Sequence, residues 1–267
     1  MPIARLNDHD MYYEVLGRGE PVLCMGGWGT FAHDNHHQLA RGLTDRYQVI
    51  VFDYRGIGGS TDDPQVEPTI ALHAADAIAL LDHLGLANVH LVGLVGIGAC
   101  ICQSIAAQRP DLARSMLNMG AWCAVDDFLR DQLEMFRWLH RDLGFEAFQK
   151  AVTLLSFTPE YYNANKDRLL GPQGGWKELR GRYPAHSRLI DACVTFDSTA
   201  WLRTIRCRSL IIHAGLDQVT SPRTTRPIEQ AIPGARGLLW DDVAHVVAGK
   251  EQKIRFAKTL FDWLEER

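Results

Sequence analysis

Short apolar runs rich in β-branched residues alternate, over most of the chain, with segments whose apolar residues step by three or four. The runs predict strands at residues 11–15, 21–25, 48–53, 89–93, 115–119, 209–214 and 237–240. Ile70, Ala74, Ile78, Leu81 and Leu84 place one apolar stripe along a helix over 68–84, with Gly85 as its stop signal. Ile254, Ala257, Phe261 and Leu264 predict a closing amphipathic helix in the same way. Such alternation builds a mainly parallel sheet with helices on both faces. It stops between 123 and 200, where aromatic and charged helical segments follow one another. The expected architecture is therefore a helical cap, 123–200, inserted into an α/β core made of 1–122 and 201–267. A cap above strand ends commonly builds the ligand pocket, and Phe128, Met135, Phe136, Trp138, Phe145, Phe148, Phe157, Tyr161 and Tyr162 are its candidate lining. The same aromatics also serve to pack a cap against itself.

A chain of 267 residues, 46% hydrophobic, can bury a large single core. Its net charge of −4 and the lack of a Lys/Arg stripe argue against a nucleic-acid partner. The expected partner is a small molecule, with a homodimer left open. The six cysteines, Cys24, Cys100, Cys102, Cys123, Cys193 and Cys207, form no C-x-x-C pair and point to a reducing compartment. The opening residues lack an apolar leader, and no segment reaches the roughly 18 apolar residues of a membrane span, so a cytoplasmic location is expected.

Five blocks carry the candidate chemistry. Val22 to Gly29 is a strand running into a glycine loop, and Phe52-Asp53-Tyr54-Arg55-Gly56-Ile57-Gly58-Gly59-Ser60 is a second strand and loop. His90 to Cys100 reads as strand, glycine-dense turn and buried helix; Ala214-Gly215-Leu216-Asp217 ends a strand; Asp241-Asp242-Val243-Ala244-His245 follows the last one. In this order they resemble the α/β-hydrolase superfamily over nearly the whole chain. The resemblance implies that Asp217 is the catalytic acid and His245 the catalytic histidine. It also implies an oxyanion hole from the backbone of Gly27 or Trp28 and of the residue after the nucleophile position, Ile97. A carboxylate on one imidazole nitrogen fixes the tautomer and leaves the other nitrogen as a general base.

The nucleophile is missing. The family presents a serine in G-x-S-x-G, and no Ser, Cys or Asp stands between Gly93 and Gly98. Counting from the strand places Val95 at the serine position; counting from the helix places Gly96 there, one residue further. The elbow residue adopts positive φ, which costs a β-branched side chain on the order of 1–3 kcal/mol, and this favours Gly96 at the tip. Neither residue can attack a carbonyl. Cys123 and Ser60 are weaker stand-in nucleophiles. His33, His36 and His37 invite a zinc reading, but they lack a Cys or Glu partner at a known spacing, and no metal or cofactor is expected.

Two functions compete. One is an enzyme acting on a small, partly apolar ester, lactone or diketone-like compound by His/Asp base chemistry, through water-activated hydrolysis or C–C cleavage as in hydrolase-fold lyases. The other is a binding or regulatory protein, since the elbow run locally resembles the non-catalytic NDRG proteins. The retained acid and histidine favour the enzyme.

Overall fold

The computed structural model describes all residues except Met1, Gly29, Thr30, Phe31, Asp34 and Arg267, and the side chain of His37. Gly29 of the first glycine loop and Asp34 and the His37 side chain of the histidine run thus lie outside the described residues. The strands are β1 (Ile3–Leu6), β2 (His9–Leu16), β3 (Pro21–Met25), β4 (Gln48–Phe52), β5 (Val89–Leu94), β6 (Ala113–Met119), β7 (Arg208–Ala214) and β8 (Arg236–Trp240). The helices are α1 (Leu43–Arg46), α2 (Ile70–His83), α3 (Ile97–Gln108), α4 (Asp127–Trp138), α5 (Phe145–Ser156), α6 (Pro159–Leu170), α7 (Tyr183–Val194), α8 (Pro222–Ala231) and α9 (Gly249–Glu265).

The strands form one sheet in the order β1-β2-β4-β3-β5-β6-β7-β8, antiparallel across β1, β2 and β4 and parallel beyond. Alternate strand residues feed two cores. Leu23, Ile50, Leu91, Met116 and Ile211 pack with α2 and α3, whereas Val22, Val49, Val92, Leu117 and Ile212 pack with α9. The chain leaves β3 towards β4 but leaves β5 towards β6. The carboxyl ends of β3 and β5 therefore flank the crevice where doubly wound sheets bind ligands.

Helix α2 starts where Thr69 caps it, accepting a hydrogen bond from the Leu72 amide. The closing helix departs from expectation in phase: Phe256, Leu260, Trp263 and Leu264 are buried, while Ile254 is 59% exposed. Two series at three- and four-residue spacing run along it, and the one carrying the large aromatics takes the core. The edge strand β1 was absent from the expected set because four residues of mixed burial show no clear alternation. Between β6 and β7 the chain is helical, α4 to α7, apart from a single bridge of Ala124 to Asp197. Among the described residues, no helix is long and apolar enough to cross a membrane.

Candidate active site

Strands β7 and β8 deliver the acid and the histidine, and backbone bonds register their loops. Gly215 donates to the Trp240 carbonyl (2.8 Å) and Leu216 to that of Val243 (2.9 Å). This stitching sets His245 Nδ1 2.9 Å from Asp217 Oδ2. The other Asp217 oxygen accepts the amides of Val219 (2.7 Å) and Thr220 (2.8 Å), so the same carboxylate also shapes the turn that follows it. The Thr220 hydroxyl donates to Oδ2 (2.8 Å) and stands 3.2 Å from His245 Nδ1. Thr220 was not singled out in the sequence, although its place three residues after an aspartate in a turn is where such a contact forms. Among the described residues nothing bonds His245 Nε2, and His245 lines a cavity.

Burial pushes the Asp217 carboxyl up, but the His245 imidazole, its hydrogen bond and the two amides outweigh this and leave it below its ordinary value. A carboxylate lowered on folding adds stability that is fully present above the unfolded value of about 3.9 and is lost as pH falls through the folded one. Asp217→Asn removes that contribution. In urea unfolding, the stability difference between wild type and variant is expected to shrink as pH falls from about 5 towards about 2; a constant difference would contradict it.

The elbow lies between β5 and α3. Gly96 has φ 73° and ψ −116° and caps α3, and Gly98 fits only as glycine, because a Cβ there would stand 2.4 Å from the Gly26 carbonyl oxygen. Val95 also takes positive φ, 61°. The expectation that a valine would avoid that region is thus not met: its amide bonds the Met119 carbonyl (2.8 Å) as that of Gly96 bonds Gly120 (2.7 Å), and the ladder to β6 holds both. A Cβ on Gly96 would meet Trp122 at 3.5 Å, an ordinary contact, so the position has room for a small side chain. The amides of Gly27, Trp28 and Ile97 donate to no group among the described residues.

The cavity beside these groups measures about 30 Å³, and Gly27, Trp28, Val95, Gly96, Ile97 and His245 contribute to it. Trp122, Leu133, Phe136, Val152, Trp176 and Val219 supply apolar walls. Of the aromatic residues expected to line it, only Phe136 does. Phe128 and Trp138 face solvent, and Phe145 and Phe148 pack with His140 inside the helical insertion. A larger cavity of about 400 Å³, between the start of α2, α3 and residues 195–204, lies away from the dyad. It lacks histidine, and its Ser104, Thr195 and Thr204 hydroxyls are engaged by their own segments.

The remaining candidates have other duties. Among the described residues the only helix at the histidine run is one 3₁₀ turn, Asn35–Gln38, and His33, expected on a helix face shared with His37 while His36 turns aside, lies outside it at φ 50°. Each histidine instead meets a carboxylate, His33 Nδ1 that of Asp53 (2.9 Å) and His36 Nε2 that of Glu14 (2.6 Å). Ser60 donates to the Asp53 carbonyl (2.8 Å) and accepts from the Tyr12 amide (3.0 Å), a bracing role. Burial pushes the Cys123 thiol up, away from a nucleophilic thiolate.

The profile described as alpha/beta hydrolase fold matches residues 20–251. The chain belongs to the α/β-hydrolase fold family. Among its relatives is a putative carbamate hydrolase RutD of Azorhizobium caulinodans, 29% identical over 240 residues and covering 88% of both chains. Another is a putative non-heme bromoperoxidase BpoC of Mycobacterium tuberculosis, 28% identical over 254 residues, 89% of this chain and 91% of the relative. In fold, this α/β-hydrolase chain is similar to the enol-lactonase of Burkholderia xenovorans LB400, with TM-score 0.84 and 22% identity over 99% of this chain and 100% of the other. It is also similar to MGS-M2, an alpha/beta hydrolase enzyme from a deep-sea metagenome library, with TM-score 0.87 and 19% identity over 100% and 98% of the chains.

Proposed function

We propose that this α/β-hydrolase chain is an enzyme that acts on a small, partly apolar carbonyl compound, an ester, a lactone or a diketone-like molecule, by general-base chemistry without an acyl-enzyme. The observation that carries this reading is the Asp217–His245 pair, 2.9 Å apart, beside an elbow whose two residues, Val95 and Gly96, bear no nucleophilic atom. An imidazole so held accepts a proton at Nε2 while the carboxylate stabilises the resulting cation. For hydrolysis, His245 takes a proton from water as the water oxygen attacks the carbonyl carbon, then returns it to the leaving group. For C–C cleavage it takes the proton of a substrate hydroxyl or an acidic C–H. The amides of Ile97, at the start of α3, and of Gly27 or Trp28 receive the developing oxyanion.

The walls formed by Leu133, Phe136, Val152 and Trp176 favour an apolar substrate, and in this reading residues 123–200 act as the cap that admits it. Likeness to a putative carbamate hydrolase and to an enol-lactonase supports a carbonyl substrate. The reaction calls for no metal or cofactor.

Rapid-mixing assays of p-nitrophenyl esters, lactones and β-diketones test the proposal. Turnover without an initial burst of the alcohol product, with one oxygen from labelled water in the acid product, is expected for hydrolysis; diketone cleavage is expected for the lyase form. A stoichiometric burst would overturn it by revealing a covalent intermediate. Tight ligand binding with no product from any member of the panel would overturn it in favour of a binding protein.

A further inference from the structure

The dyad mechanism leaves one elbow group without a role, the carbonyl of Val95. Strand β5 ends at Leu94 and α3 begins at Ile97, so Val95 and Gly96 alone make the turn, both at positive φ. Their amides are taken by Met119 and Gly120, and the Gly96 carbonyl accepts from Ala99 (3.0 Å) and Cys100 (3.2 Å). The Val95 carbonyl accepts from nothing among the described residues. Its oxygen lies against the anion loop, 3.1 Å from where a Cβ on Gly27 would stand. On the other side Val95 adjoins the histidine: a Cβ on Gly120 would stand 3.3 Å from Val95 Cα and 3.4 Å from His245 Cε1. Val95, Gly27 and His245 thus border one cavity, which has room for water.

We propose that the Val95 carbonyl is a positioning group that, together with His245 Nε2, fixes the attacking water. The inference rests on the dyad reading. One water proton is directed to Nε2 and the other to the Val95 oxygen, which aims a lone pair of the water oxygen at the substrate carbonyl. On attack the C–O bond forms and the first proton moves to Nε2. The second stays on the new hydroxyl group, and His245 then protonates the departing alkoxide as its bond to carbon breaks. The elbow supplies a backbone acceptor where a serine hydroxyl would otherwise meet the base. Within 4 Å a Cβ at 96 meets Trp122 and no atom of His245.

Two measurements test this. A high-resolution crystal structure is expected to show a water within about 3.2 Å of both Val95 O and His245 Nε2; a Val95 oxygen without a water, or bonded to protein, overturns the proposal. A fluorophosphonate probe, which labels only a base-activated serine, is expected to react with Gly96→Ser at least about 100-fold more slowly than with Gly96→Ser combined with deletion of Val95. The deletion removes the water's second anchor and also restores the G-x-S-x-G spacing, so labelling reads the register of the elbow while the crystal structure reads the water itself. Equal labelling of the two variants, or labelling of neither, overturns it. Should the deletion fail to fold, the crystal structure decides, and rapid labelling of Gly96→Ser alone overturns the proposal. Turnover in His245→Ala separates the two readings. Unchanged turnover removes the dyad and the proposal together, whereas lost turnover with no water at Val95 removes only the proposal.

Discussion

His245→Ala is expected to lower kcat for any substrate the protein turns over by about 10²–10⁴-fold, the range a positioned general base contributes, while KM changes little. The split follows from what His245 touches. Its Nδ1 is tied to Asp217 and Thr220, and its ring forms one wall of a cavity whose other walls are apolar. In the proposed function substrate affinity therefore comes mainly from Trp122, Phe136 and their neighbours, which the substitution leaves in place. In the proposed mechanism proton transfer comes from the imidazole, which it removes. Added imidazole is expected to restore part of the lost rate by diffusing into the space created. A variant that keeps wild-type kcat would show that the base lies elsewhere and that the Asp217–His245 pair only braces the loops after β7 and β8.

The fold was readable because buried parallel strands are short, β-branched and separated by helical periodicity, and these traits are local. That Asp217 and His245 would meet was expected for a related reason: Asp217 stands in the loop after β7 and His245 in the loop after β8, where the family order of blocks puts them. Other features depend on contacts far apart in the chain, and a linear pattern does not carry them. The backbone bonds of Gly215 to Trp240 and of Leu216 to Val243 bring Asp217 and His245 together, yet nothing in either loop's sequence announces them. The positive φ of Val95 is imposed by pairing to Met119, against the residue's own preference. Trp122, Trp176 and Val219 come from three separate segments to close the cavity, whereas the aromatic residues suggested by composition mostly face solvent or one another. The histidine run makes a single 3₁₀ turn rather than a longer helix, and His33 and His36 pair with Asp53 and Glu14, partners distant in the chain.

Arg55 is the clearest case of a motif residue whose duty appears only in three dimensions, and it carries the largest expected effect on stability. It stands in the second glycine loop among residues that resemble catalytic hydrolases, but it points away from chemistry. Its guanidinium, 5% exposed, grips Asp76 of α2 through Nε (2.6 Å) and Nη2 (2.8 Å) and also donates to the Asn7 carbonyl (3.0 Å). The Asn7 side chain in turn donates to Asp76 (3.0 Å), so one buried ion pair joins the β1–β2 turn, the loop after β4 and helix α2. His9 sits against the same carboxylate, and burial holds its imidazole below the ordinary histidine value. Asp76→Ala would leave the arginine charge buried without its partner, and removing one member of such a pair costs about 3–5 kcal/mol. Urea unfolding is expected to show a loss of that size, whereas Arg55→Met combined with Asp76→Leu, which removes both charges and fills the space, should recover most of it. A loss below about 1 kcal/mol in the single variant would mean that water reaches the guanidinium and that the three segments are held together by packing alone.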